Sequence, residues 1–138
     1  RRYWKGHYFR DLPDGAVDAL LEHSIGDHGV AASLQAYGGA IAEVPDEESA
    51  FAHRGTALEY VGAARWTSPD DDADRIALAR GFAAGLTPFA TGAYVNALSD
   101  DVDGVRRAYG VEKLERLRDV KRAWDPDNVF HLNQNIAP

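Results

Sequence analysis

Cysteine is absent from the 138 residues, which removes disulfides, thiolate metal sites and a cysteine nucleophile from consideration while fixing no compartment. No run approaches the roughly 18 apolar residues that a membrane helix needs, so no membrane-spanning segment is expected. Basic residues are in short supply: 15 Lys and Arg stand against 22 Asp and Glu, a formal charge of −7. That balance repels a phosphate backbone, and no basic stripe offsets it, so nucleic acid is not an expected partner. A basic start followed by a short apolar stretch and a small-residue cleavage site is also lacking; no signal peptide is visible and a cytoplasmic location is favoured. Internal repeats and low-complexity linkers are missing too.

What remains is a chain that is 45% hydrophobic and 27% charged, too apolar to stay disordered. Its length suits one domain that buries roughly two-thirds of its unfolded surface in a single core. Trp4 to Arg10 alternates as a strand and stops at Pro13. Val17, Leu20, Leu21 and Ile25 then recur at helical spacing, with Asp14 as the cap and Gly26 or Gly29 at the far end. A second strand is expected over Ala32 to Tyr37, ending at Gly38-Gly39, and Pro45 to Ser49 reads as an exposed acidic loop. The clearest alternation runs from Leu58 to Trp66.

Ser68-Pro69-Asp70-Asp71-Asp72 is a strong helix start, with a Ser cap, Pro at the first helical position and carboxylates at the positive end of the dipole. The spacing predicts a helix from there to about Leu86 and a fourth strand over Ala93 to Leu98, opened by Thr91-Gly92. Two helices follow, Asp101 to Tyr109 and Glu112 to Trp124, the second striped by Leu114, Leu117, Val120 and Trp124. The order predicts an α+β fold: an antiparallel sheet with helices on one face, in ferredoxin-like, split βαβ order, followed by two C-terminal helices and an extended tail. Residues 1–98 form the α+β segment and residues 99–138 the helices and tail of the same compact unit.

Metal chemistry has little support. The five histidines, His7, His23, His28, His53 and His131, lack ligand spacing. Asp70-Asp71-Asp72 with Asp74 reads as a solvated helix start, because it has neither the alternating oxygens, the central Gly nor the terminal Glu of a calcium loop. Tyr37-Gly38-Gly39-Ala40 follows a strand but has neither a phosphate-loop Lys-Ser/Thr nor GxGxxG spacing, and no Ser sits on a nucleophile elbow. Tyr94 and Asn96 stand out. On a strand they share a face, where a phenol can donate or act as a base and an amide can orient it; a cross-strand polar pair is the plainer alternative. The end, Trp124-Asp125-Pro126-Asp127-Asn128-Val129-Phe130, breaks the helix at a turn. Asn133-Gln134-Asn135 then adds amides that demand partners wherever they are buried.

Tyr94-Val95-Asn96, Tyr109-Gly110, Arg116-Leu117, Val120-Lys121, the Trp124 to Phe130 stretch and Asn133-Gln134-Asn135-Ile136 together resemble the C-terminal signature of the FAD-linked oxidases of the berberine bridge enzyme-like group, within the vanillyl-alcohol oxidase superfamily. Upstream, Tyr37-Gly38-Gly39-Ala40, Ala50 to Arg54 and Trp66 are similar to landmarks of that group's substrate domain. The resemblance implies the C-terminal part of an FAD-dependent oxidoreductase, inactive alone, whose FAD is bound mainly by an N-terminal domain that nothing here matches. It also implies that the tail returns to that domain, and that hydride passes from a small organic substrate to the flavin. By the same resemblance Tyr94 is the candidate catalytic residue and Tyr94, Asn96, Asn133 and Asn135 are candidate flavin contacts; Gln35 and Tyr60, on strands expected to sit in the same sheet, are candidate substrate contacts. Where some members carry a Tyr base one past the Tyr-x-Asn motif, this chain has Ala97. A sheet without its other domain is expected to self-associate. The alternative function is a free-standing ferredoxin-like module that binds a small molecule or dimerises, without redox activity.

Overall fold

The computed structural model describes residues 1–24 and 29–138, and the side chains of His23 and Ser24 fall outside that description. Its elements are β1 (Arg2–Phe9), α1 (Asp14–Ser24), β2 (Val30–Ala36), α2 (Ala40–Glu43), β3 (Leu58–Arg65), α3 (Asp72–Leu86), α4 (Gly104–Tyr109) and α5 (Val111–Trp124), with short 3-10 turns between them. The expected α1 stripe member Ile25 and the expected stop at Gly26 lie outside the described residues, as does His28.

The three strands form one antiparallel sheet in the order β1-β3-β2. Tyr3 pairs with Ala64, His7 with Tyr60 and Phe9 with Leu58 on one side of β3, while Leu34 pairs with Tyr60 and Gln35 with Glu59 on the other. Because successive side chains point to opposite faces, Tyr3, His7, Phe9, Tyr60 and Ala64 all look toward α3. There Phe9 and Tyr60 pack with Phe82, Ala83 and Leu86, and Tyr3 and Ala64 pack with Ala79. Gly62 makes this possible: it follows Tyr60 on the same face, and a Cβ on it would lie 2.1 Å from the Tyr60 hydroxyl oxygen.

His7 is polar but fully engaged on this covered face. Its Nε2–H donates to the Ala83 carbonyl at 2.9 Å and its Nδ1 accepts from Arg107 at 2.7 Å, while Arg107 also pairs with Asp101 at 2.5 Å. Burial pulls the imidazole pKa down from 6.5 to about 4. The contacts therefore belong to the neutral ring.

The fourth strand expected over Ala93 to Leu98 does not form. Its place beside β1 is held by one antiparallel bridge, Tyr8 to Gly92, with Tyr8 N–H donating to the Gly92 carbonyl at 2.9 Å and Thr91 N–H donating to the Tyr8 carbonyl at 2.8 Å. The chain then leaves the edge and makes a 3-10 turn, Val95–Ala97, on the face away from α3. Gly6 permits this, since a Cβ there would stand 2.9 Å from the Ala97 Cβ. The turn thus sits on the sheet instead of extending it.

α4 and α5 meet at Gly110, whose φ of 71° suits glycine. Of the expected α5 stripe only Leu114 is buried; Val120 is exposed and Trp124 is 84% exposed. α5 is tethered instead by Lys113, whose Nζ donates to the Asp46 and Phe51 carbonyls at 2.6 and 2.9 Å and pairs with the Asp46 carboxylate at 2.9 Å. After α5, Asp125 fixes the start of the tail by accepting from the backbone N–H of Val129 at 2.7 Å and of Phe130 at 3.1 Å, and it also pairs with Lys121. Val129, Phe130 and Leu132 in that stretch stay exposed, with Phe130 at 82%, whereas Ile136 is half-buried.

Candidate functional site

The face of the sheet away from α3 carries Trp4 and Tyr8 from β1, Glu59 and Val61 from β3, and Gln35 from β2. α3 packs on the other face, and among the described residues no helix is packed on this one. The Val95–Ala97 turn forms one wall of a cleft of about 380 Å³ lined by Trp4, Gln35, Tyr37, Glu59, Val61, Tyr94, Asn96 and Ala97. Within it Asn96 Nδ2 donates to the Tyr94 hydroxyl oxygen at 2.7 Å, which leaves the phenol's own proton to be donated elsewhere. The two residues meet through a turn and not through strand alternation.

Glu59 is the most constrained group here. It is 2% exposed, and the Tyr37 hydroxyl donates to its Oε2 at 2.7 Å. Its Oε1 is buried with no hydrogen-bond partner among the described residues. Burial raises the carboxyl pKa above its ordinary 4.5, while the Tyr37 hydrogen bond acts in the opposite direction. Tyr8, opposite Glu59 in register, is itself buried and lies between two rings, 5.4 Å from Tyr37 and 5.4 Å from His53. Burial pushes its phenol upward, so it stays protonated.

Several residues singled out by sequence converge on this face. Gln35, Tyr94 and Asn96 all line the cleft. Asn133 lies in an adjoining hollow of about 520 Å³ that shares Trp4 and Asn96 with the cleft and adds Arg2, Ser99 and Gln134. Gln134 reaches back to donate to the Ser99 carbonyl at 3.2 Å. Two residues do not join them. Tyr60 is 0% exposed on the covered face, between His7 and Phe82. Asn135 lines a separate hollow of about 560 Å³ against α4 and α5, and its Oδ1 is buried without a partner among the described residues.

Sequence reasoning missed Glu59 and the role of Tyr37. The signal was a lone carboxylate among the small and apolar residues of β3, which alternation alone assigns to a solvated face.

Fold and cleft together define an α+β domain with one helix-covered sheet face and one open face that carries a polar, carboxylate-bearing site. Residues 93–137 match the family model described as berberine and berberine like, and the homologues of the chain are FAD-linked oxidoreductases. It is 33% identical over 132 residues to the uncharacterized FAD-linked oxidoreductase YgaK of Bacillus subtilis (strain 168), a match covering 94% of this chain and 29% of that protein. It superposes on Physcomitrella patens BBE-like 1 wild-type with a TM-score of 0.88 and 26% identity, covering 98% of this chain and 30% of the other. Berberine bridge enzyme from Eschscholzia californica, at 23% identity and a TM-score of 0.85 over 99% of this chain and 33% of its own, shares the fold. The chain spans about 30% of the length of the curated relatives it matches.

Proposed function

We propose that this chain is the C-terminal segment of an FAD-dependent oxidoreductase that oxidises a small organic substrate held in the open-face cleft. In this reading the FAD is bound mainly by residues outside this chain. Glu59 carries the proposal: a buried carboxylate with one oxygen unpartnered, in a cleft beside two phenols and two amides, is equipped to take a proton. The share of the relatives' length that this chain covers, about 30%, supports the segment reading.

The residues fit a flavin edge. The hollow adjoining the cleft offers side-chain amides from Asn96, Asn133 and Gln134 and the Arg2 guanidinium, a donor and acceptor set that suits the amide-like pyrimidine ring of a flavin. When bound, FAD supplies the hydride acceptor and hands the electrons on. Glu59 removes a proton from the substrate's hydroxyl or ammonium group, Tyr94 is oriented by Asn96 and lines the substrate or flavin site, and Gln35 closes the side of the cleft formed by β2. Asn135 and the exposed Trp124, Val129, Phe130 and Leu132 await the rest of the protein, and the isolated chain is expected to self-associate through them.

The test is single-turnover flavin reduction in the complete, FAD-loaded protein. Glu59→Gln should slow reduction by about 100-fold or more while FAD stays bound; reduction at the unaltered rate would remove Glu59 as the base. The chain alone should bind FAD weakly, and tight yellow binding at micromolar protein would contradict the segment reading.

A further inference from the structure

The two oxygens of Glu59 are not equivalent. Oε2 is held by the Tyr37 hydroxyl at 2.7 Å, whereas Oε1 is buried and unpartnered. Tyr37 is itself fixed from several sides. Its N–H donates to the Ala57 carbonyl at 2.8 Å, carrying the β2–β3 ladder one residue past β2, and its ring stands edge-on to Tyr8 at 5.4 Å. The chain then turns away through Gly38 and Gly39, with φ of 123° and 50°, so the backbone departs and leaves the phenol in place. Glu59 is faced by Tyr8 from β1, by Tyr37 from the end of β2 and by Tyr94 from the stretch before the Val95–Ala97 turn; Gln35 is neutral, and His53, behind Tyr8, spends Nε2–H on the Arg107 carbonyl at 2.7 Å. No Lys or Arg lines the cleft among the described residues. The Tyr37 hydroxyl is therefore the group that favours the ionised carboxylate.

We propose that Tyr37 is the positioning residue of this site: it pins Oε2, reserves Oε1 for the substrate's proton, and so selects substrates presenting a hydroxyl or ammonium donor over those presenting a carboxylate. The inference rests on Glu59 acting as the base. A carboxylate substrate would place a second negative charge against an oxygen with no cation to share it, and like charges at such range disfavour one another. A donor group satisfies Oε1 and simultaneously aligns its proton for transfer.

The experiment compares the wild type, Tyr37→Phe and Glu59→Gln in the complete FAD-loaded protein, following the pH profile of single-turnover flavin reduction and, separately, an isotope-edited infrared titration of the Glu59 carboxyl band. Removing the Tyr37 hydroxyl should move the acid limb and the infrared titration together to higher pH, by about one unit. On that limb the rate falls about tenfold, recovers at higher pH, and leaves KM within about twofold, which a merely structural defect would not do. Should Tyr37→Phe fail to fold, 2,3-difluorotyrosine at position 37, a stronger donor, should move both readouts to lower pH. Readouts unmoved by either change, while Glu59→Gln still abolishes reduction, would overturn the role of Tyr37 and leave the base intact. Reduction at the wild-type rate in Glu59→Gln would instead overturn the base.

Discussion

Glu59 and Tyr60 are neighbours on β3, both almost wholly buried, yet they belong to two different environments. Tyr60 faces α3, with Phe9, Phe82 and Leu86 packed around it; Glu59 faces a cleft roofed by one short turn and held by a single phenol. On the covered side burial is served by many dispersion contacts, and no one atom is decisive. On the open side burial removes water from a charge and leaves one hydrogen bond to set its behaviour. The same strand thus supplies stability from its even positions and chemistry from its odd ones.

Four outcomes would break or sharpen that contrast. The largest lies on the covered face: Phe82→Ala leaves a cavity beneath Tyr60 and Leu86 and should cost about 3–5 kcal/mol in a urea titration. Next comes acid. The folded-state pKa of His7 is depressed from 6.5 to about 4, so its contribution to stability is complete above about pH 6.5 and is lost as pH falls toward 4. Across that window the loss amounts to about 3 kcal/mol. Thermal melts at stepped pH would show it, and His7→Gln should flatten the dependence.

On the open face the stability effect should be small. Glu59→Gln removes a carboxylate whose pKa is raised by burial, so at neutral pH it should change stability by less than about 1 kcal/mol while flavin reduction fails. A large destabilisation would mean that Glu59 serves the fold. Smallest of all, Phe130→Ser in the isolated chain should stay within about 0.5 kcal/mol, because the side chain is 82% exposed. The same change in the complete protein should cost more if the tail docks there.

Part of this was legible along the chain. The alternation from Leu58, the run ending before Pro13, and the Ser68-Pro69 start each depend on neighbours within a few residues, and β3, β1 and α3 follow them closely. Ser68 Oγ does accept from Asp70 N–H, at 3.3 Å. The α5 stripe was legible as a pattern but not as burial: its heptad-like spacing continues to Trp124, yet of its four members only Leu114 is buried. Tyr94 and Asn96 were found through the Tyr-x-Asn motif and Gln35 through its strand, and the structure brings the three together through a turn in place of the strand that sequence spacing predicted.

The sequence by itself determined the α+β character, the identity of the strands that carry the sheet, and the capped start that leads into α3, since period-two alternation and helix caps are local and written in adjacent residues. Only the tertiary structure decided that Ala93 to Leu98 turns onto the sheet over Gly6, and which side of β3 is covered. It alone set Tyr37 against Glu59 and left Oε1 without a partner. Those outcomes depend on which surfaces meet across tens of residues, and a buried carboxylate and a solvated one look the same in a string of letters.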